Sequence, residues 1–149
     1  MEIQRSCPSS FVDILYESIG ENIRVVCRDS QKWHIGTLID VSSNSIDVLG
    51  TRISVNIPLN NIFSVFFNER DVLFLRYLRM IDSELYQKFS TFLHKKIEVF
   101  GHKSSGWHER GELQYIGKDY FILINSEDKH ISCVYVNKDT EVCVNSYDS

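Results

Sequence analysis

The 149-residue sequence lacks the features that mark several large classes of protein. No apolar run approaches the roughly 18–20 residues of a membrane-spanning helix, and the first ten residues lack the apolar centre of a secretion signal. Lys and Arg number 16 against 20 Asp and Glu, and the resulting net charge of −4 disfavours a general phosphate-binding surface. With 43% hydrophobic and 24% charged residues, the composition is that of a globular protein. We therefore expect a cytoplasmic protein that has no membrane partner.

Catalytic and metal-binding motifs are missing as well. The sequence has no Gly-x-Ser-x-Gly nucleophile elbow, no P-loop and no dinucleotide-binding fingerprint. Its four cysteines form no Cys-x-x-Cys pair, and we expect reduced thiols, with Cys27, Cys133 and Cys143 packed as small hydrophobic residues. The histidines that could approach one another come from scattered loops without metal-ligand spacing; they are His102, His108 and His130. These absences predict a non-enzymatic protein without cofactor or metal.

Two stretches of the chain resemble each other at a nearly constant spacing. The chain has two tryptophans, and each begins a Trp-His dipeptide, namely Trp33-His34 and Trp107-His108. A Gly-x-Leu motif follows each dipeptide, at Gly36 and Gly111. The further matching pairs are Ile23 with Ile97, Val25 with Val99, Val41 with Ile116, Asn44 with Asp119, and Asn60 with Asn137. This agreement predicts an internal duplication.

Each copy combines one helix with five short strands. Apolar residues at helical spacing predict helices over 10–19 and 82–94, with Ser10 and either Asp82 or Ser83 as N-caps. Alternation of apolar and polar residues predicts the strands. They are 23–27, 33–41, 46–49, 53–57 and 62–66 in the first copy, and 97–101, 107–116, 120–124, 131–136 and 141–144 in the second.

The glycines of the Gly-x-Leu motifs, Gly36 and Gly111, lie in mid-strand, where we expect a bulge or a tight bend. Such a bend lets one long strand serve both sheets of a small barrel. Five bent antiparallel strands after a helix predict a mainly β fold, a small SH3-like barrel of the Sm type. The predicted domains are two such barrels, 9–68 and 82–146, joined by an apolar helical linker at 69–81.

The motif at residues 36–44 resembles the first signature of the Sm-like family. It reads Gly-x-Leu-x-x-Val-x-x-Asn. The second copy, GELQYIGKDYFIL at 111–123, is similar to small Sm-like proteins of spore-forming Gram-positive bacteria, and IPL at 57–59 fits the same frame. The resemblance implies tandem Sm-like barrels in a bacterial cytoplasmic protein.

The resemblance also implies a nucleic-acid site that this chain matches only in part. Sm-like RNA binders hold a base with the asparagine that ends the first signature, and a phosphate with an Arg-Gly or Lys-Gly pair. Asn44 matches that asparagine, but the second copy has Asp119 there. The position of the basic residue is taken by Asn60 and Asn137. Binding of RNA or single-stranded nucleic acid is therefore the alternative function, not the leading one.

The two Trp-His pairs allow two interpretations. In the functional one, Trp33 and Trp107 are aromatic platforms for a base or a peptide, and His34 and His108 are their hydrogen-bonding neighbours. In the packing one, each tryptophan covers an open end of a barrel. Successive strand residues point to opposite faces, so the histidines then point outward and meet a ligand. We favour packing for both tryptophans.

The segment between the copies is too apolar for a flexible tether. Phe74 and Tyr77 belong to a predicted bridging helix, and together with Phe66 and Phe67 they form the predicted interface. Asn44 and Asn60 complete the predicted partner-binding residues. The leading function is an interaction or scaffold protein that binds a protein partner or self-associates.

Overall fold

The computed structural model describes residues 10–28, 33–67, 82–100, 108–125 and 130–136. In this part of the chain lie two α-helices, α1 (Phe11–Glu17) and α2 (Glu84–Phe89), and nine strands. The strands are β1 (Asn22–Cys27), β2 (Trp33–Val41), β3 (Ser45–Leu49), β4 (Ser54–Pro58), β5 (Ile62–Phe67), β6 (Lys96–Phe100), β7 (His108–Ile116), β8 (Tyr120–Asn125) and β9 (His130–Tyr135). The predicted mainly β class is confirmed. Every one of these strands begins and ends within one residue of its predicted bounds.

All nine strands belong to one open antiparallel sheet, in the order β4-β3-β2-β1-β5-β9-β8-β7-β6. We call β1–β5 the first strand group and β6–β9 the second. The groups meet where β5 pairs with β9, with Val65 opposite Cys133 and Phe67 opposite Ile131. Closure of the sheet into two separate barrels stays a prediction. The predicted linker at 69–81 and the predicted strand at 141–144 lie outside the described residues.

Two apolar clusters lie on opposite faces of this sheet. Along β5, Val65 belongs to the first cluster, and the next residue, Phe66, packs against the second. Along β9, Cys133 belongs to the first cluster and Val134 to the second. Because successive residues of a strand point to opposite faces, these two strands contribute to both clusters. Separating the strand groups would therefore expose both apolar clusters to water.

Each helix begins at a predicted serine cap. The Asp13 backbone N–H donates to Ser10 Oγ at 3.3 Å, and the Asp13 carboxylate accepts the Ser10 N–H, which completes a capping box. Before α2, the Tyr86 N–H donates to Ser83 Oγ at 3.1 Å. The helix residues that pack on the first cluster are Phe11, Ile14 and Leu15, and those that pack on the second are Leu85, Tyr86 and Phe89. Neither helix in the described ranges is long and apolar enough to span a membrane.

The two strand groups share a hydrogen-bonded framework. The Gly20 N–H donates to the Leu38 carbonyl at 2.7 Å, and the His94 N–H donates to the Leu113 carbonyl at the same distance. Both donors have positive φ angles, 97° at Gly20 and 67° at His94. The equivalent hairpins therefore start from the same unusual backbone turn, although only the first uses glycine for it.

The predicted bulges at the two mid-strand glycines are wrong in position. The register shifts two residues later, between Leu38 and Asp40 and between Leu113 and Tyr115. Gly36 is instead a point of close approach, because a Cβ atom there would clash with the backbone oxygen of Leu49. A glycine in mid-strand marks either feature, and the sequence alone does not distinguish them.

Candidate functional site

A group of large side chains lies on the outer face of the first strand group, opposite the first cluster. Strand register places Trp33 beside Val26, Ile35 beside Arg24, and Leu49 beside Thr37 on this face. Trp33 is 47% exposed, Ile35 63% and Leu49 45%. We call Arg24, Trp33, Ile35, Leu49 and Phe66 the Trp33 surface. It is an apolar surface on a rigid sheet, of a kind that marks interaction sites.

Arg24 connects the aromatic residues of this surface. Its Cζ atom lies 4.5 Å from the centroid of the Trp33 ring and 6.0 Å from that of Phe66. Cation–π attraction of this kind is worth about 0.5–1 kcal/mol at an exposed site. The guanidinium is therefore held between two rings that the sequence places 33 residues apart.

A shallow groove of about 120 Å³ lies beside Arg24. Its apolar lining includes Ile35 and Phe66, and its polar lining includes Asn22, Arg24 and His130. The imidazole of His130 and the ring of Phe66 are tilted against each other, with centroids 6.4 Å apart. Strands β1, β2, β5 and β9 all contribute to the groove, so it lies where the two strand groups meet.

The favoured packing interpretation of Trp33 is wrong, because half of its surface is exposed. His34 lies opposite Val25, a residue of the first cluster, so its side chain is on the inner side of the sheet and is half-buried. The expected orientation of the pair is therefore reversed. Alternation along β2 was anticipated, but the sequence did not reveal which of the two residues faces the core.

In strand register, Trp33 matches a histidine of the second strand group. Trp33 precedes Gly36 by three residues, but the residue three before Gly111 is His108. Gly36 pairs with Ile23 and Gly111 pairs with Ile97, so these glycines are equivalent. His108 therefore matches Trp33, and the predicted equivalence of the two tryptophans is wrong. Trp107 lies outside the described residues.

The asparagines predicted for the nucleic-acid site lie on adjoining turns. The Leu59 N–H donates to the Asn44 carbonyl at 2.9 Å, and both Asn44 and Asn60 are exposed. In the second strand group, Asp119 occupies the place of Asn44, and its carboxylate accepts the Phe11 N–H of α1 at 2.7 Å. The matched site in the second group is thus occupied by a helix terminus. Asn137 lies outside the described residues.

The four predicted interface residues have different outcomes. Phe66 is half-buried and lines the groove, while Phe67 is buried in the first cluster. Phe74 and Tyr77 lie outside the described residues.

The described cysteines, Cys27 and Cys133, are buried and form no disulfide bond, as predicted, and burial raises the pKa of Cys133 well above its usual value. Among the described residues, no cluster of three His, Cys, Asp or Glu side chains could hold a metal ion.

A partly buried carboxyl group that the sequence analysis missed lies near the junction. Glu109 Oε1 accepts a hydrogen bond from the hydroxyl of Ser64, a fully buried residue of β5, at 3.0 Å. Burial raises the pKa of Glu109 to about 7, although the Ser64 bond opposes this rise. In β9, which pairs with β5, the Ser132 hydroxyl is buried and has no hydrogen-bond partner among the described residues. No sequence signal distinguishes Glu109 from other strand carboxylates.

The three residues that sequence reasoning missed on the Trp33 surface are Arg24, Ile35 and Leu49. The signal for Ile35 was present, because alternation places it on the same face as Trp33. The position of Arg24 depends on which strands neighbour β1, which local sequence does not encode. Comparison of the chain with protein-family models, with curated proteins and with solved structures finds no match.

Proposed function

We propose that this chain is a non-enzymatic interaction protein that binds a protein partner through the Trp33 surface. The observation that carries the proposal is the exposure of Trp33 and Ile35 on a sheet whose other face is a packed core. Large apolar side chains in this position contribute little to folding. Trp and Arg are the residue types most often found at the energetic centre of protein interfaces. A rigid sheet presents them with little ordering cost on binding.

The proposal includes a duplicated, Sm-like architecture. Support comes from the matched backbone turns at Gly20 and His94, and from the matched register shifts in β2 and β7. Both helices begin at serine caps that precede the first strand of their group by a similar distance. The strand order of the first group, with β5 beside β1, is the order expected for a small barrel in which the last strand returns to the first.

Nucleic-acid binding has weaker support. The exposed Asn44 and Asn60 lie near each other, but Asp119 holds the matched position in the second group and contacts α1. The chain also carries a net charge of −4, which opposes a polyanion. We therefore treat nucleic-acid binding as an outcome that the test must separate from protein binding.

The test compares two substitutions of exposed isoleucines. Ile35→Glu places a charge in the Trp33 surface, and Ile19→Glu places the same charge after α1, where Ile19 is 42% exposed. The tagged protein is used for affinity capture from native lysate, with and without nuclease. We expect wild type and Ile19→Glu to capture the same protein despite nuclease, and Ile35→Glu to lose it. Capture that disappears with nuclease, or falls steeply with salt, would instead indicate nucleic acid.

A further inference from the structure

We infer that the groove beside Arg24 binds a carboxylate, supplied by an acidic side chain of the protein partner. This inference rests on the proposed function, since it specifies the chemistry of the partner at the same surface. The groove opens next to the exposed Ile35, so an apolar segment on the Trp33 surface would bring its neighbouring side chain to the guanidinium.

The polar side chains that line the groove are suited to an anion. Asn22 Oδ1 accepts the hydroxyl of Thr37 at 3.1 Å, which leaves the two amide N–H groups of Asn22 as donors. Arg24 has donors only, and the imidazole of His130 carries at least one N–H. A ligand group that only accepts hydrogen bonds satisfies all three side chains.

Arg24 is arranged to receive such a group. Its Cζ atom lies over the Trp33 ring, and a cation–π contact leaves the N–H donors of the guanidinium available to a planar carboxylate. Among the described residues, no carboxylate lies within ion-pair distance of Arg24. The orientation of the side chain is thus fixed by aromatic contacts, and its charge is not neutralised by this part of the chain.

In the second strand group, the positions that match Arg24 and Ile35 hold an ion pair within the chain. Glu98 matches Arg24, and Arg110 matches Ile35, because each pair lies opposite across the first hairpin of its group. Arg110 Nε lies 3.5 Å from Glu98 Oε2. In the second group the arginine has a carboxylate opposite it, and in the first group it has an exposed isoleucine. The missing carboxylate is the group that we assign to the partner.

The size of the groove favours a carboxylate over a phosphate. About 120 Å³ beside one guanidinium, with Ile35 and Phe66 on its walls, suits a single planar negative charge. A phosphate group carries more charge and more acceptors, and its sites gather several cationic or backbone donors. The net negative charge of the chain further disfavours the more highly charged ligand.

The inference is tested with two blocked peptides that differ in one group, acetyl-Phe-Glu-Phe-amide and acetyl-Phe-Gln-Phe-amide. Each is titrated into the isotope-labelled full chain, and NMR follows the Trp33 indole N–H and the Arg24 Nε–H. A charged acceptor makes a hydrogen bond about twice as strong as a neutral one, so we expect the Glu peptide to bind about five-fold more tightly. Arg24→Gln should abolish this preference while the spectrum remains that of a folded protein.

The outcomes separate this inference from the proposed function. Equal affinity for the two peptides, or no shift of the Trp33 and Arg24 signals at the highest soluble peptide concentration, overturns the carboxylate site. Loss of partner capture in Ile35→Glu would still stand in that case. The opposite result is also informative. If the protein prefers the Glu peptide and this preference depends on Arg24, but Ile35→Glu still captures the partner, the carboxylate site is supported and the proposed interface is contradicted.

Discussion

The outer faces of the two strand groups differ most sharply in their second, third and fourth strands. In the second group this face is buried against α1 and the first cluster, and its residues are Tyr115, Tyr120, Ile122, Ile131 and Cys133. In the first group the matched positions are polar and partly or fully exposed; they are Asp40, Ser45, Asp47, Ser54 and Asn56. One framework thus carries two opposite surfaces. The polar face of the first group resembles the capping surface that ends a repeat array.

In a second difference, the first group is the more apolar of the two. Around the first hairpin, the second group carries the Glu98–Arg110 ion pair, whereas the first group exposes Ile35 beside Arg24. The polar side chains of this face show that the first group is adapted to water where its surface is exposed. Exposed apolar side chains a few residues away therefore call for a separate explanation, and a partner surface provides one.

Truncation at matched positions of β3 and β8 should give the largest contrast. Ile122 is 2% exposed in the first cluster, so Ile122→Ala should lower the free energy of unfolding by about 2–5 kcal/mol. Asp47 is on the matched outer face of β3, and Asp47→Ala should cost less than about 1 kcal/mol. Urea unfolding of both variants measures the difference. Similar losses in the free energy of unfolding for the two variants would show that the two outer faces do not differ in burial.

Glu109 should make the stability of the protein depend on pH. Because the folded-state pKa of Glu109 is raised from 4.5 to about 7, the unfolded state ionises first as the pH rises. This group's contribution to stability should therefore fall by about 3 kcal/mol between pH 4.5 and 7, and change little above that range.

Glu109→Gln isolates this effect from other carboxyl groups, including Asp119, whose pKa is also raised by burial. The glutamine retains an acceptor for the Ser64 hydroxyl and does not ionise. We expect the variant to lack the loss of stability between pH 4.5 and 7 that wild type shows. Parallel stability profiles for the two proteins would mean that Glu109 is not buried at the junction.

The turn residues Asn44 and Asp119 provide a smaller contrast. Asp119 accepts the Phe11 N–H at the start of α1, so Asp119→Ala should cost about 1–2 kcal/mol. The side chain of Asn44 is exposed, and Asn44→Ala should change stability by less than about 0.5 kcal/mol. Thermal unfolding of the two variants at one pH compares them directly. A larger loss of stability in Asn44→Ala than in Asp119→Ala would mean that Asn44, and not Asp119, is the turn residue that supports the fold.

Trp33→Ala should have a small effect on stability, although it removes a large side chain of the sheet. Half of the ring is exposed and its main described contact is with Arg24, so we expect a loss of no more than about 1 kcal/mol. Partner capture should nevertheless be lost. A loss of 3–5 kcal/mol in a denaturant melt would restore the packing interpretation of this tryptophan.

The sequence predicts the elements of this fold well because they depend on local patterns. Alternation fixed the strand bounds, and serine side chains identified both helix starts. The pairing of β5 with β9 joins residues about 70 positions apart, and no local pattern encodes it. The sharing of each strand between two clusters follows from that pairing, so it was not predicted either.

The candidate site was only partly predicted, because it too depends on the pairing of distant strands. Trp33 and Phe66 were both singled out by their residue type, but their common contact with Arg24 requires knowledge that β5 lies beside β1. The match of Trp33 with His108 in strand register is also hidden in the sequence, because the repeated dipeptide suggests the wrong alignment.

Site-specific photo-crosslinking tests the central claim most directly, since it records what contacts the Trp33 surface. A photoreactive amino acid replaces Ile35 in one version of the chain and Ile19 in another, and both are exposed to native lysate under light. The account predicts one discrete protein adduct from position 35 that is absent from position 19, and that is suppressed by Trp33→Ala. Equal labelling from the two positions, or an adduct that nuclease removes, would contradict it.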